Sequence, residues 1–554
     1  MSIQFDKPAA KDLNLLLSEL HRNRGAAFAL RTEPAAGEDP EAPMKSVDIK
    51  GIAYDSRTVE PGDIFVSIEG QKVDGNEFIA EAIKRGAAAV VSQKQSGPYS
   101  VPLLVVSDVR AAMATLADAF FDYPSHKLRL LGVTGTNGKT TTTHLIEHIL
   151  TEAGMKAGLI GTLGARIPQD RSSGSGDSAA KNQYIDVKHT TPQSSDLQGL
   201  LATMANRGVS HAAMEVSSHA LALKRVFGTR FASACLTNIS QDHLDFHNTM
   251  EHYWQAKRIL FEMLGEGAGD GEADGQGKGP RKRSAVINLD DELAPKFIAA
   301  VPKSADIELF TYSFDKKKAQ IHVLESQFDF SGTKLKLATP GGVIEFATRL
   351  TGKFNIYNVM AAMAVCLAEG VSKEAIAQAL SDFAGVSGRF EVVPASSNQV
   401  MAPLCIVDYA HTPDGLDNVL KTARALVPVG GRLIAVFGCG GDRDSSKRPQ
   451  MGRIAEELAD KVVVTSDNPR TELPDQIIGD ILSGIRNLSK TTVEADRATA
   501  IRNTVMSASP QDVVVVAGKG HETYQILGTK TIDFDDRLEV AKALNERTGA
   551  LKTI

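Results

Sequence analysis

Apolar runs alternate with polar turns along most of this chain, in two periods. Continuous runs such as "LRLLGV", "AGLIGT" and "HAAMEV" suit strands buried on both faces, while "KTTTTHLIEHIL" and "DLQGLLATMANRG" suit covering helices. With "FASACLTNI" as a further strand, residues 127–388 are expected to form a mostly parallel sheet with helices. A second such unit is expected over 389–554, from "GRLIAVFG", "MGRIAEELA", "KVVVTS", "PDQIIGDILSGI" and "DVVVVAG". Residues 1–126 read as a smaller α/β unit, with short strands around the turn "EPGD" and the helix-to-strand segment "FIAEAIKRGAAAVVS". Three stretches break the alternation. "RTEPAAGEDPEAPM" reads as an exposed connector, and the Gly/Ser-rich segments near 165–183 and 265–283 read as surface insertions.

Composition narrows the possible partners. A chain of 554 residues, 42% hydrophobic and 23% charged, exceeds what one core serves, so several domains are expected. Its net charge of −6 provides no basic field, which argues against nucleic acid or an anionic membrane as partner and for small molecules. Cys235, Cys366, Cys405 and Cys439 are scattered, with neither a disulfide framework nor a zinc-ligand spacing. The N-terminus lacks the features of a signal peptide and no stretch is apolar enough to span a bilayer, so a cytoplasmic protein is expected.

In open parallel sheets ligands sit beyond the carboxyl ends of the strands, which directs attention to the residues after each apolar run. "LLGVTGTNGKTTTTH" places Gly135, Thr136, Asn137, Gly138, Lys139, Thr140 and Thr141 between a strand and a helix. That is a phosphate loop: backbone amides curl round phosphate oxygens, the lysine adds a fixed cation and the threonine a hydroxyl for magnesium. Val133 stands where the full consensus has glycine, so the loop is a shortened variant; the bland alternative is a turn that merely starts a helix. Glu215 ends another apolar run and calls for a partner, such as magnesium. Asp242, His243, Asp245, His247, Glu251 and Lys257 crowd the region after "TNIS"; zinc on His243, Asp245 and His247 lacks a fourth ligand, and a solvated turn and helix is the plain alternative.

Taken together, "TGTNGKTTT", "MEVSSHAL", "TNISQDHLDFH", "GKFNIYNVMAA", "VDYAHTPD", "FGCGGDRDSSKRPQMG", "TSDNPRTE" and "AGKGHETYQ" resemble the Mur ligase family over residues 48–540. The resemblance implies three domains: a nucleotide-sugar-binding unit, a central P-loop ATPase-like sheet and a C-terminal Rossmann-like unit for the incoming amino acid. It implies an ATP-dependent amide ligase of peptidoglycan precursor synthesis, using an acyl phosphate and a tetrahedral intermediate to add meso-diaminopimelate to D-glutamate of UDP-MurNAc-L-Ala-D-Glu. Carried over to this chain, Lys139 and Thr140 hold phosphates and a first magnesium with Glu215. His243 binds a second magnesium, and Lys257 is carbamylated to N6-carboxylysine. Asn355 and Asn358 lie on the adenine side, with Arg389 and Asp408 contributing phosphate and ribose contacts. Ser56, Arg57, Thr190, Thr191, Ser217 and Arg225 match contacts to the UDP-MurNAc-dipeptide. His189, Leu223 and Asn76 depart from the family pattern where asparagine, glutamine and histidine are usual.

The loop Asp467-Asn468-Pro469-Arg470, on its own a polar turn, becomes under this resemblance the selector of diaminopimelate. Arg443 and Arg470 suit a carboxylate, and Gly518 with Glu522 suit the ammonium of the same amino-acid head. Competing readings are a lysine-adding relative, a folyl-polyglutamate synthetase, a nucleotide-binding switch, and an NAD-dependent oxidoreductase suggested by "FGCGGDRD". A monomer is expected.

Overall fold

The computed structural model describes residues 5–22, 31–33, 35–37, 46–70, 73–95, 97–169, 182–265, 282–395 and 402–549. Three main sheets carry the chain. The first has five strands in the order Arg31–Glu33, Leu103–Val105, Ala89–Ser92, Asp63–Val66, Gly51–Ala53, parallel except for Arg31–Glu33. The start of the expected connector is therefore a strand: Arg31, Thr32 and Glu33 pair antiparallel with Val105, Leu104 and Leu103. An open sheet edge supplies the partners that override the segment's turn-like composition.

The central sheet has eleven strands. Its parallel core runs Ala157–Gly161, His211–Glu215, Arg129–Thr134, Ser233–Leu236, Arg283–Asn288, Ile307–Ser313, Ile321–Asp329. Antiparallel strands extend both ends, Gly164–Pro168 with Asn182–Ile185 on one side and Gly332–Thr339 with Gly342–Thr348 on the other. Gly164–Pro168 and Asn182–Ile185 overlap the first expected insertion, whose ends are thus paired strands; its middle and most of the second insertion lie outside the described residues. The strand Arg129–Thr134 lies between His211–Glu215 and Ser233–Leu236, so the loops after three adjacent strands open at one place.

The third sheet has six strands in the order Glu391–Val393, Leu404–Asp408, Val513–Ala517, Leu433–Phe437, Lys461–Val464, Thr491–Val493, parallel except for Glu391–Val393. Helices cover both faces, which explains the unbroken apolar runs. Val513 and Val515 enter one core with Ile406 and Leu420, while Val514 and Val516 enter the opposite one with Ile501 and Leu544. Because successive side chains alternate faces, a strand covered twice has no polar position to show.

Burial on this scale predicts a sharp positional contrast. Ile406→Ala, at a side chain 0% exposed, is expected to lower stability by about 2–5 kcal/mol, whereas Val429→Ala, at a residue 100% exposed, should stay within about 0.5 kcal/mol. Urea melts of the two variants check this; equal shifts would contradict the packing described.

Candidate active site

The strand Arg129–Thr134 delivers the phosphate loop to the helix Lys139–Glu152. Gly138 has φ 87°, and a Cβ there would sit 2.3 Å from Asn358 Oδ1, so only glycine fits the turn. The loop is tied to the neighbouring strand's extension: Thr136 N donates to Asn238 O at 2.7 Å and Asn137 N to Asn238 Oδ1 at 3.1 Å. The helix's first amides have no intrahelical acceptor and form its positive end. Lys139 Nζ donates to the loop carbonyls of Gly135 at 2.9 Å and Thr136 at 2.8 Å. Burial pulls its pKa down, and Glu215 and Asp242 oppose that pull.

Glu215 is fully buried at the end of its strand and accepts from Thr162 N at 2.8 Å, Thr162 Oγ1 at 3.1 Å and Thr140 Oγ1 at 3.1 Å. Arg389 Nη2, from the chain entering the third sheet, donates to the same Thr140 hydroxyl at 3.1 Å. Its guanidinium lies 4.4 Å from the centre of the Tyr409 ring. Burial pushes Asp408 up to about 6 against the pull of Arg389, and the carboxylate accepts from Phe390 N and Ala410 N at 2.7 Å. Asn355 and Asn358 lie inside the helix Lys353–Ala368 and do not cap it. Asn355 Nδ2 donates to Thr351 O at 2.9 Å, and Asn358 Nδ2 donates to Asn355 Oδ1 at 3.1 Å.

A cavity of about 490 Å³ gathers most of the expected residues: Thr136, Asn137, Gly138, Lys139, Thr140, Thr141, Thr190, Glu215, Ser217, His243, Lys257, Asn358, Arg389 and Asp408 line it. Gly135, Asn355, Thr191 and Arg225 are not among its lining residues. Arg225 Nη1 donates to Thr191 O at 2.9 Å, and Ser217 N donates to Thr191 Oγ1 at 3.0 Å, so these residues brace one another. Lys257 is 1% exposed and does not pair with an acid on its own helix; Nζ donates to Gly135 O at 2.7 Å and lies 4.7 Å from the Tyr253 ring centre. Burial, with Lys139 close by, drives its pKa well below the ordinary lysine range. His243 has φ 55° and lies 3.4 Å from Asp242, with burial holding it neutral down to about 3. Among the described residues no three His, Cys, Asp or Glu side chains cluster as a metal site, so the zinc alternative finds no geometry.

Ser56 and Arg57 lie outside this cavity. Ser56 Oγ donates to Glu81 Oε2 at 3.3 Å, and exposed Arg57 forks onto Asp55 with bonds of 2.8 and 2.7 Å. Asn76 Oδ1 accepts from Ser67 Oγ and Ser92 Oγ, each at 2.7 Å, and Leu223 caps the short helix Ser218–Ala222. Tyr54 OH donates to Asp196 Oδ2 at 2.6 Å, joining the first sheet to the central helix Ser194–Asn206.

The loop after Lys461–Val464 is largely buried, with Asp467 and Asn468 at 6% and 2% exposure. Arg470 has φ 53° and donates through Nη1 to Gly441 O at 2.7 Å. A Cβ on Gly440 would lie 2.9 Å from Arg470 Nη1 and 3.9 Å from Arg443 Cγ, so both side chains pass close to that glycine. Gly518, at φ 120°, leaves room for the Asp467 carboxylate; a Cβ would stand 2.5 Å from Oδ2. Asn468 Nδ2 donates to Glu522 Oε2 at 2.8 Å.

Sequence reasoning missed several residues that organise these loops. Asp414 accepts from Asn137 Nδ2 at 2.6 Å and Ser240 Oγ at 3.2 Å, a link from the third unit to the phosphate loop. It ends "VDYAHTPD", a stretch whose pattern points to Asp408 at the strand end and not to Asp414. Arg497, 1% exposed, forks onto Asp536 with two bonds of 2.7 Å and donates to Ser466 O and Ala517 O at 3.2 and 3.0 Å. It thereby ties together the ends of the strands that carry Asp467 and Gly518. Arg448 does the same for the loop's far side, donating to both Glu472 oxygens at 2.8 Å and to Gly440 O at 3.2 Å. A charged residue inside a helix pattern gives no sign of such a partner 20 or more residues away.

Comparison with known proteins fits this arrangement. Family models described as Mur ligase family, catalytic domain, Mur ligase middle domain and Mur ligase, glutamate ligase domain match residues 48–121, 133–366 and 388–520. The UDP-N-acetylmuramoyl-L-alanyl-D-glutamate--2,6-diaminopimelate ligase of Gloeobacter violaceus is 48% identical over 91% of this chain and 95% of its own length. The chain belongs to the Mur ligase family. The ligase of the same name from Geobacillus thermodenitrificans is 44% identical, over 90% of this chain and 96% of that one. A solved UDP-N-acetylmuramoyl-L-alanyl-D-glutamate--2,6-diaminopimelate ligase superposes with a TM-score of 0.60 at 33% identity, covering 92% of this chain and 97% of that one. A Thermotoga maritima MurF ligase in complex with ADP, 16% identical with a TM-score of 0.56 over 90% and 98%, shares the fold. The three-domain α/β architecture is thus the Mur ligase fold, and the Mur ligases are ATP-dependent ligases.

Several histidines of this Mur ligase are buried in the neutral form. Burial, first in every case, lowers His144, His219 and His411 to about 4 and His521 to about 3, with Arg166, His247, Lys447 and Arg389 respectively adding repulsion. Because each folded value is depressed, the stabilising contribution is complete above the ordinary histidine pKa of about 6.5 and is lost as pH falls toward the folded values. The melting temperature should therefore drop progressively between about pH 6.5 and 4, as scanning calorimetry would show; a flat profile across that window would contradict buried neutral imidazoles.

Proposed function

We propose that this ligase joins meso-diaminopimelate to the γ-carboxylate of D-glutamate in UDP-MurNAc-L-Ala-D-Glu, converting ATP to ADP and phosphate, in peptidoglycan precursor synthesis. The observation that carries the choice of amine is the group of loop ends at the third sheet, where Arg470 and Arg443 both pass Gly440 and Asn468, two residues before Arg470, pairs with Glu522. Relatives of that name at 48% and 44% identity support it. Diaminopimelate differs from lysine by one carboxylate, which turns the terminal ammonium into a second amino-acid head. That carboxylate suits planar guanidinium donors beside an ammonium on Glu522, while lysine, with the ammonium alone, would leave the guanidinium donors unpaired in a closed site.

The residues of the 490 Å³ cavity fit the nucleotide end of the reaction. A free carboxylate is a poor electrophile, so the γ-phosphoryl group of ATP passes to it first; the amine then attacks the acyl phosphate, and the tetrahedral intermediate expels phosphate. Lys139 would exchange its two carbonyl bonds for phosphate oxygens, and the helix amides would hold the same anion. Arg389 reaches the Thr140 hydroxyl from the third unit and would bring its charge to the transferred group. Asn355 and Asn358 would face adenine and Asp408 the ribose. Ser56, Arg57, Thr190, Thr191, Ser217 and Arg225 would bind the UDP-MurNAc-dipeptide.

The donor set suits a hard cation, since the Thr140 hydroxyl and Glu215 carboxylate stand 3.1 Å apart on the cavity wall. Thr140 and Glu215 would hold one magnesium and His243 with Lys257 a second; magnesium, when bound, neutralises phosphate charge. The second position requires Lys257 as a carbamate. Its buried amine is held toward the neutral form that adds to carbon dioxide, and loss of one proton gives N6-carboxylysine. We read the protein as a monomer, and nucleotide substrates suit a cytoplasmic enzyme. No helix among the described residues is long and apolar enough to cross a membrane.

An amino-acid panel tests the reading: with UDP-MurNAc-L-Ala-D-Glu and ATP, phosphate release should require meso-diaminopimelate, and equal turnover with L-lysine would overturn the specificity. Arg470→Ala should lower kcat/KM for diaminopimelate by about 10- to 100-fold, the loss of a hydrogen bond between charged groups, while leaving the KM for ATP unchanged. Lys139→Ala should abolish phosphoryl transfer with its melting temperature little altered, because it removes a charge at the transferred group and no core packing.

A further inference from the structure

Between Gly518 and Glu522 lies a buried cation that the reading above does not use. Lys519 is 0% exposed, and its Nζ donates to Glu522 Oε2 at 3.0 Å and to Asn468 Oδ1 at 3.2 Å. It also stands 5.5 Å from the centre of the Tyr524 ring. An ammonium removed from water is unfavourable unless paired and hydrogen-bonded, so these contacts fix Lys519 in place.

Those contacts decide how the pocket presents itself. Asn468 Oδ1 accepts from both Lys519 Nζ and Ile526 N, the latter at 3.0 Å. With its oxygen so occupied, the amide must turn Nδ2 toward Glu522, where it donates to Oε2 at 2.8 Å. Glu522 Oε2 thus takes two donors, while among the described residues no hydrogen bond ends on Oε1. The Lys519 charge also offsets that of Glu522. A lone ammonium then gains little there, whereas a zwitterionic head gains from Glu522 and the two arginines together.

We propose that Lys519 is a positioning residue for the incoming amino acid: it sets the Asn468 amide and the Glu522 carboxylate in one arrangement and, by offsetting the charge of Glu522, favours a zwitterionic head over a simple ammonium. This rests on the reading of the pocket as the diaminopimelate site. Lys519 acts through Asn468 and Glu522 and touches no reacting atom.

The test is steady-state kinetics of Lys519→Met and Lys519→Gln with meso-diaminopimelate and L-lysine, alongside Glu522→Gln and the double variant Lys519→Met/Glu522→Gln. Lys519→Met should raise the KM for diaminopimelate by about tenfold with kcat and the KM for ATP nearly unchanged, and should narrow the preference over L-lysine. Lys519→Gln, which keeps a donor, should show a smaller rise. If Lys519 acts through Glu522, the double variant should be little worse than Glu522→Gln alone. Unchanged diaminopimelate KM, an equal fall in kcat for both amines, or additive effects in the double variant would overturn the proposal. Failure of both single variants to fold, seen by circular dichroism, would mark Lys519 as framework and also overturn it. A wild-type enzyme inactive with diaminopimelate would instead defeat the functional reading itself.

Discussion

The buried carboxylate of Glu215 is the constraint around which the molecule is arranged. A carboxylate at 0% exposure is costly by several kcal/mol unless donors surround it, and here they come from separate parts of the chain. Thr162 supplies a backbone and a hydroxyl donor from the loop beyond one flanking strand, and Thr140 supplies a hydroxyl from the phosphate-loop helix. Arg389 then bonds the same Thr140, so the chain leading into the third sheet is bound to the central one beside this buried carboxylate. Asp414 adds a second link through Asn137 and Ser240. The seam between the two sheets is therefore polar, and it coincides with the cavity.

Much of this was legible from pattern alone, for a physical reason. Strands covered on both faces show continuous apolar runs, and their ends are marked by the first polar residues; Glu215, Asp408 and Asp467 each stand where such a run stops. The phosphate loop was legible because glycine, lysine and threonine in succession at a strand-to-helix junction have few other uses. Residues with distant partners carry no such mark. Arg497, Arg448 and Asp414 act through partners far away in sequence, and only the pairing of strands brings Asp536, Glu472 and Asn137 to them. The strand Arg31–Glu33 was hidden likewise, because an edge strand borrows its order from the neighbour it pairs with rather than from its own composition.

The separation of tasks between sheets has consequences for specificity. The phosphate loop, Glu215, His243 and Lys257 hang from the central sheet, whereas the Asp467–Arg470 loop, Gly518 and Glu522 hang from the third. Under the proposed function, ATP chemistry and amine choice therefore rest on two cores that meet where Phe354 of the central unit packs against the third. Arg389 and Asp414 add polar links across the same seam.

Rigidity on the amine side follows from where its charges are placed. Arg497 with Asp536, and Arg448 with Glu472, are ionic pairs whose arginines are almost fully buried; Arg497 also holds the carbonyls of Ser466 and Ala517 at strand ends, and Arg448 holds Gly440 O in the loop beyond another strand. Such pairs add little net stability compared with apolar packing, yet they impose one geometry, because displacing either loop would leave a buried charge unmatched. Under the proposed function, a site that separates two amines differing by one carboxylate needs its donors held within tenths of an ångström. Anchoring the loops by buried guanidinium groups meets that need where flexible surface contacts would not, and it places the discriminating power in loop ends while the sheet behind them remains ordinary apolar core.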